Sequence, residues 1–287
     1  MRCDMASIQL ASSKLMLMAG GTQVDVLDVR SAHTPPPTDT HFPIPHSRVL
    51  DEVVSTLDDL GWQVQNQAHA LMGDGMRYFA LLQLATSAKL ENLYGAPDKN
   101  SSWMIGIRNA HDKSFTAEGM LGTHLSICDN MMFTGRSGSV FHFARKHTRF
   151  IERDFSGLVA KAFGTLASAM TAERDRIAAY KAFAIESDVV VHDFIIRALK
   201  KRAITSQMLP LVLTEWNRAN GAGGFSERAV EMQDYSFVEP TAWKLQQCFT
   251  EVEKEKHSLL ATPNRNSRLA GLLDGLVGLS SVSDSAE

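Results

Sequence analysis

The sequence predicts an α+β protein: an antiparallel β-sheet with a leading helix, followed by a helical C-terminal half. Three observations carry this. Two alternating segments, Trp62–Met72 and Met76–Ala85, flank Gly73-Asp74-Gly75, and Asp-Gly is a strong hairpin turn because both residues tolerate positive φ. The strand segments that follow are joined by connections too short for crossover helices. From Asp154 onward the apolar spacing changes from two residues to three and four.

In chain order, residues 1–45 read as an N-terminal arm. Within it Thr22 to Val29 (TQVDVLDV) alternates polar and apolar, as a half-buried strand does. His33-Thr34-Pro35-Pro36-Pro37-Thr38-Asp39 can join neither a ladder nor a helix, so it forms a loop. The leading helix runs over Ser47–Leu60, with Val49, Leu50, Val53, Val54, Leu57 and Leu60 at helical spacing and Gly61 at the C-cap.

Taking Asp74 and Gly75 as the turn pairs Met72 with Arg77 and Ala70 with Phe79. One face of the hairpin then carries Trp62, Val64, Ala68, Ala70, Phe79 and Leu81. The other carries Gln63, Gln65, Gln67 and His69 opposite Thr86, Leu84, Leu82 and Ala80, an amide-rich face that is either solvated or binds something polar. Lys89–Ser102 is a polar surface loop. Strands over Trp103–Asn109, Thr116–Cys128 and Ser139–Ala144 complete a sheet domain spanning 46–150. The helical region, 151–287, packs on or beside the sheet. It opens with a long helix running from Asp154 towards Phe183, followed by helices at Asp188–Arg202, Ser206–Ala219, Thr241–His257 and Ser267–Leu279.

Composition excludes several classes. Of 287 residues, 44% are hydrophobic and 21% charged, as in ordinary globular proteins. Lys and Arg number 29 against 32 Asp and Glu, so a uniformly basic nucleic-acid coat is excluded, though a local basic patch is not. Cys3, Cys128 and Cys248 lie far apart with no CxxC pair, which argues against a disulfide framework or zinc ribbon and for a reducing cytoplasm. No apolar run approaches the roughly 20 residues of a membrane span, so a membrane is not an expected partner. The opening MRCDMASIQLASSKLMLMAGG, holding Asp4 and Lys14, is too weakly apolar for a secretory signal.

The polar residues concentrate in the sheet domain. Arg108-Asn109-Ala110-His111-Asp112-Lys113-Ser114 lies between two strands, and Cys128-Asp129-Asn130 follows it. From Arg136 to Arg149 there are four Lys or Arg residues and no acid. Phosphate neutralisation calls for such donors, so Arg108, Lys113, Arg136, Arg145, Lys146 and Arg149 are the candidate nucleic-acid contacts. The bland alternative makes them solvated strand ends and turns. Tyr78, Trp103, Phe115, Phe141 and Phe143 lie nearby as rings for base stacking or, more simply, core packing. His111, Asp112, Asn130 and His147 are the candidate catalytic groups, although strand neighbours such as His111 and Asp112 point to opposite faces. His124 with Cys128, and His142 with His147, have ligand chemistry but poor spacing for a strand, so no metal is expected. Gly119, Gly122, Gly135 and Gly138 form neither GxGxxG nor GxxxxGK, and no GxSxG occurs, so no nucleotide cofactor or serine nucleophile is indicated.

The strings IPHSRVLDEVVSTLDDLGWQV, IGIRNAHDKSF, CDN and ARKHT, spread between about His46 and His257, resemble the phage/plasmid-like protein family, a domain-of-unknown-function family of mobile elements. The resemblance implies a bacterial or phage-infected cytoplasm and brings no established activity. It puts Arg108, Asn109, Asp112, Lys113, Ser114, Cys128, Asp129, Asn130 and His147 among the family's signature positions. In organisation alone, a helix, a hairpin opening on Gly-Trp, further strands and a helix looks like the core of Red-beta/RecT-type single-strand annealing proteins, which form rings or filaments around DNA. The expectation is therefore an accessory protein that binds single-stranded DNA, forms homo-oligomers and serves annealing or recombination. The alternatives are an enzyme acting on a nucleotide or nucleic acid, and a protein-interaction factor acting against a host system.

Overall fold

A computed structural model describes residues 21–85, 101–125, 130–133, 141–220, 239–255 and 262–279. In chain order these form β1 (Thr22–Val24), α1 (Val26–Ser31), α2 (His46–Asp59), β2 (Val64–Met72), β3 (Arg77–Leu84), β4 (Ser101–Ala110), β5 (Ala117–Leu125), β6 (Asn130–Phe133) and β7 (His142–Arg145). Six helices follow: α3 (Ile151–Phe163), α4 (Leu166–Ala182), α5 (Asp188–Lys200), α6 (Leu209–Asn220), α7 (Ala242–Glu255) and α8 (Thr262–Leu276). The architecture is the α+β one the sequence predicts.

Every strand pairing is antiparallel, in the order β1-β2-β3-β4-β5-β6, and β7 shares the outer edge of β5 with β6. Met72 does pair with Arg77 and Ala70 with Phe79. The Met76 amide closes onto the Gly73 carbonyl, with Asp74 and Gly75 at φ 55° and 80°, the mirror-image turn that matches strand twist. Gly61, at φ 80°, ends α2 as expected.

The hairpin's faces differ from the alternation read off the sequence. Register slips between Val64 and Asn66, a β-bulge that flips the parity of everything before it. Trp62 and Val64 thus join Tyr78, Ala80, Leu82 and Leu84 on the face packed under α2, with Val49, Leu50, Val53 and Leu57. Ala68, Ala70, Phe79 and Leu81 pack with Met104 and Met120 on the opposite face. The strand opposite the amides is therefore the core side. Only the exposed residues Gln63, Gln65 and Gln67 remain at the sheet's margin.

Two further expectations are corrected. Only Thr22–Val24 is strand, because the Asp25 carboxylate accepts from the Leu27 and Asp28 amides and starts α1 in a capping box. The long helix from Asp154 is two helices broken at exposed Gly164 and Thr165, where glycine gives up helix most cheaply. The break lets α4 serve two cores. Leu166, Ala169 and Met170 pack with α2, α3 and the sheet, whereas Ile177 and Tyr180 pack with α5–α8. Arg176 of α4 bridges Glu173 and Asp274, and the Tyr180 hydroxyl donates to Asp274, pinning α8 to α4. The helical half thus builds its own core while α3 and the start of α4 belong to the sheet's. Residues 86–100, which include most of the predicted surface loop Lys89–Ser102, lie outside the described residues, and the loop's last two residues, Ser101 and Ser102, begin β4 instead.

One close approach is specific enough to test. Gly119 of β5 stands opposite Phe143 of β7, whose ring lies edge-on to Phe141 and Phe155 and would collide with any Cβ at 119. The Gly119→Ala protein is expected to lose about 1–3 kcal/mol in urea unfolding, the range for forced overpacking. A value within experimental error of the parent would show that Phe143 can simply move aside.

Candidate functional site

The candidate residues divide between a buried joint and the exposed end of the sheet above it. The N-terminal arm, 33–46, crosses the end of the sheet where the β4–β5 turn and the residues after β7 meet. There His41, His46, His111 and His147 surround Asn109, all of them buried. The Asn109 carboxamide is the hub. Its Nδ2 donates to the Ile44 carbonyl at 3.1 Å and to His46 Nδ1 at 2.9 Å, and its Oδ1 accepts from His147 Nε2 at 2.8 Å.

The remaining bonds fix each imidazole's tautomer. The Ile44 amide donates to His147 Nδ1 at 3.2 Å, so that nitrogen bears no proton. His46 Nδ1 is likewise an acceptor, leaving its Nε2 to donate to the Gly75 carbonyl at 2.8 Å. His111 Nε2 donates to the Ile44 carbonyl and His41 Nε2 to the His111 carbonyl. The ring of His46 lies parallel on that of His111 at 3.9 Å. The bonds made by all four rings are those of neutral imidazoles, and His111 Nδ1 is buried without a hydrogen-bond partner. A second proton on His147 or His46 would face an N–H that already points at it.

The titration behaviour follows. Burial pushes His46 down to about 3, assisted by the charge His111 would carry. Burial, with His41 and His111 adding to it, lowers His147 to about 4, and burial also lowers His111. His69 is lowered by burial too, its Nδ1 bonded to the Tyr78 hydroxyl at 2.9 Å.

On the opposite face, buried Glu118 of β5 accepts from Arg108 Nε and Nη2 at 2.9 and 2.6 Å and from His142 Nε2 at 2.8 Å. Burial raises its carboxyl, but the hydrogen bond from His142 and the charge of Arg108 outweigh that and hold it at about 2. Glu118 thereby ties β4, β5 and β7 together. Arg108 also lies 4.9 Å over the Phe115 ring.

The structure thus sorts the six candidate cations. Arg108 is buried on Glu118, and Arg145 is paired with Asp154 at 2.7 Å, so neither guanidinium is presented outward as the sequence suggests. Desolvation explains it: a buried or strand-borne arginine requires a carboxylate partner. Lys113, Lys146 and Arg149 are exposed. Arg145 pairs with Ala117 at the end of β5, so the chain from Lys146 onward runs beside the β4–β5 turn that carries Lys113. Lys113 holds φ 67°, a left-handed conformation rare for a residue with a Cβ. Arg136 lies outside the described residues.

Of the candidate catalytic groups, His111 and His147 do come together, ring centroids 6.3 Å apart. Asp112 does not join them. Its carboxylate bonds Arg77 at 2.6 Å and the Ser114 amide, and it is held below the usual carboxylate range because the Ser114 and Arg77 bonds outweigh burial. Asn130 begins β6, with its side chain and the neighbouring Cys128 and Asp129 outside the described residues. Tyr78, Trp103, Phe141 and Phe143 are core residues. The exposed ring is one that sequence reasoning passed over: Phe150, 50% exposed, with Arg153 at 4.6 Å and Arg149 at 6.0 Å from its centroid. His41 and His46 were missed as well. The signal for His46 and Asn109 was present, because the strings around Ile44-Pro45-His46, Asn109-Ala110-His111 and His147 converge on this joint.

Among the described residues no group of His, Cys, Asp and Glu side chains is arranged to hold a metal, and no helix is long and apolar enough to cross a membrane. Comparison of the chain with family models, curated proteins and solved structures finds no match.

Two outcomes test the joint. The unfolded chain takes up imidazole protons near pH 6.5, whereas His46 and His147 resist them in the fold to about 3 and about 4. The unfolded state therefore binds more protons below pH 6.5, and stability falls with acid by up to about 1.4 kcal/mol per pH unit for each ring. Glu118 adds to this lower down, its contribution being lost as pH drops from 4.5 towards 2. Urea midpoints are expected to be level above pH 7 and to decline steadily from pH 6 to 4; a flat profile there would refute neutral, buried rings. Separately, Asn109→Leu strands His46 Nδ1 and His147 Nε2, while the Ile44 carbonyl keeps its bond from His111 Nε2, and is expected to lose about 2 kcal/mol or more.

Proposed function

We propose that this chain is a nucleic-acid-binding accessory protein of a phage or plasmid, with single-stranded DNA the favoured ligand and annealing or recombination the process it serves. The observation that carries the reading is the exposure of Lys113, Lys146 and Arg149 at the sheet's end, together with the half-exposed ring of Phe150, which follows Arg149 in the chain. Single strands are held by cations that follow the backbone and by rings on which bases stack, and this surface offers both. Phe150 has Arg149 at 6.0 Å and Arg153 at 4.6 Å from its ring; Arg153 is held by Asp154 at 2.8 Å, which leaves Arg149 to reach a phosphate flanking a base on the ring.

The strained Lys113 adds support. Glycine would adopt φ 67° without penalty, so a lysine there keeps its charge at the tip of the turn at some conformational expense. The joint beneath supplies rigidity: the Phe42 amide bonds the His147 carbonyl, so the segment carrying Lys146 and Arg149 is held to the arm. The resemblance of the strings around His46, Asn109 and His147 to the phage/plasmid-like family supports the mobile-element setting. A catalytic role for His111 and His147 is the weaker reading, because both rings are buried, His147 is bonded at both nitrogens and His111 Nε2 is taken by the Ile44 carbonyl.

Fluorescence anisotropy with a labelled oligothymidylate tests this. Binding is expected at low salt, with log affinity against log salt falling at a slope of about −2 for three phosphate contacts on a single strand. Reversing Lys113, Lys146 and Arg149 to Glu should weaken it by about ten-fold or more, and Phe150→Ala should weaken single-strand binding with little change in its salt slope. No binding at low salt, or full retention by the triple reversal, rejects the proposal.

A further inference from the structure

A second surface, away from the cationic end, is built to receive a peptide. β1 pairs with β2 only opposite His69, Ala70 and Leu71, after which Asp25 turns the chain into α1. Among the described residues no strand covers the edge of β2 from Val64 to Ala68. Beside this edge, unpaired by any described strand although α1 touches both β2 and α2, α2 and β2 enclose an open groove of about 880 Å³. Val54 and Val64 give it an apolar strip, Gln65 and Gln67 line the strand side, and Asp51 and Asp58 line the helix side.

The charge of the groove says what suits it. α2 carries Asp51, Glu52, Asp58 and Asp59 against Arg48, four acids less one base, or −3 with histidine neutral. Arg48 bonds Glu52 and Arg30 bonds Asp51, while Asp58 stands exposed on the last turn of the helix. A carboxylate at a helix C-terminus lies in the unfavourable field of the helix dipole, and a bound cation relieves it.

We propose that this groove docks an extended, lysine-rich segment of a partner protein by strand addition to β2. The peptide's backbone completes the ladder at residues 64–68, its apolar side chains alternate onto Val54 and Val64, and a lysine reaches Asp58. A paired stretch of about five residues spans roughly 17 Å at the rise of a β-strand, the length of the run from Val64 to Ala68. The inference is independent of nucleic-acid binding, because it uses neither the same residues nor the same charge.

The test uses the full chain and a fluorescein-labelled peptide of about eight alternating Lys and Val residues. Two control peptides accompany it: one with backbone N-methyl groups on alternate residues, and one with Glu for Lys. The Lys-Val peptide is expected to bind, and each control to bind at least about ten-fold more weakly, since one lacks the ladder donors and the other the charge. Asp58→Lys should weaken the Lys-Val peptide by about five-fold or more without lowering Tm, because a cation suits that helix end. Equal binding of the N-methylated peptide would reduce the effect to general charge attraction and overturn strand addition. Unchanged affinity in Asp58→Lys would place the peptide elsewhere. A dimer in sedimentation that the peptide cannot compete would mean that a second copy of this chain occupies the edge.

Discussion

The constraint on which this end of the fold rests is a single buried carboxamide. Asn109 joins three segments far apart in sequence: the arm at Ile44 and His46, the end of β4, and the turn after β7 at His147. No hydrophobic contact could do this, because the segments present backbone carbonyls and amides that must be paired once water is excluded. A carboxamide both donates and accepts, and an imidazole with one proton does the same. The network therefore closes with every member neutral, which spares it the desolvation penalty of buried ions. An arm that contributes only short helix and strand of its own is held in place by these bonds.

The same electrostatic economy decides which cations the protein can present. Strand positions facing the interior can keep an arginine only by supplying a carboxylate, and Glu118 does this for Arg108 while accepting from His142. Cations on the turn and on the segment leaving β7 carry no such requirement, since water solvates them. A basic stretch of sequence thus becomes two populations, one binding the sheet together and one facing outward at its end. Exposed Lys113, Lys146 and Arg149 and the acidic helix α2 carry charge of opposite sign on a molecule whose net charge is only −3.

Helix α4 supplies the link between the two halves. Its first turns complete the sheet's core and its later turns begin the helical one, so the chain changes partner within α4, between Met170 and Ile177. The buried Arg176–Asp274–Tyr180 set then fixes α8 against it, a polar pin in an apolar bundle. Such a pin selects one packing of the helices over others that hydrophobic burial alone would leave nearly equal.

Fold class, strand order through the hairpin, its register and the helix under Val49–Leu57 were legible in the sequence because they follow from local rules: side-chain period, turn chemistry and helix caps. Asp25 escaped because a capping aspartate and an alternating strand look alike over a few residues. The bulge at Val64 escaped because one extra residue leaves no mark in composition yet reverses which side chains face the core. The candidate site was half legible. Lys113, Lys146, Arg149, His111 and His147 lay in the strings singled out, and three of those strings meet at Asn109. What only the tertiary structure decided was pairing: that Glu118 takes Arg108, that Asp154 takes Arg145, that Phe150 rather than Phe141 is exposed, and that Asn109 binds His46 and His147. Pairing depends on which groups share a desolvated volume, and that is a property of distances across the fold, which no spacing along the chain encodes.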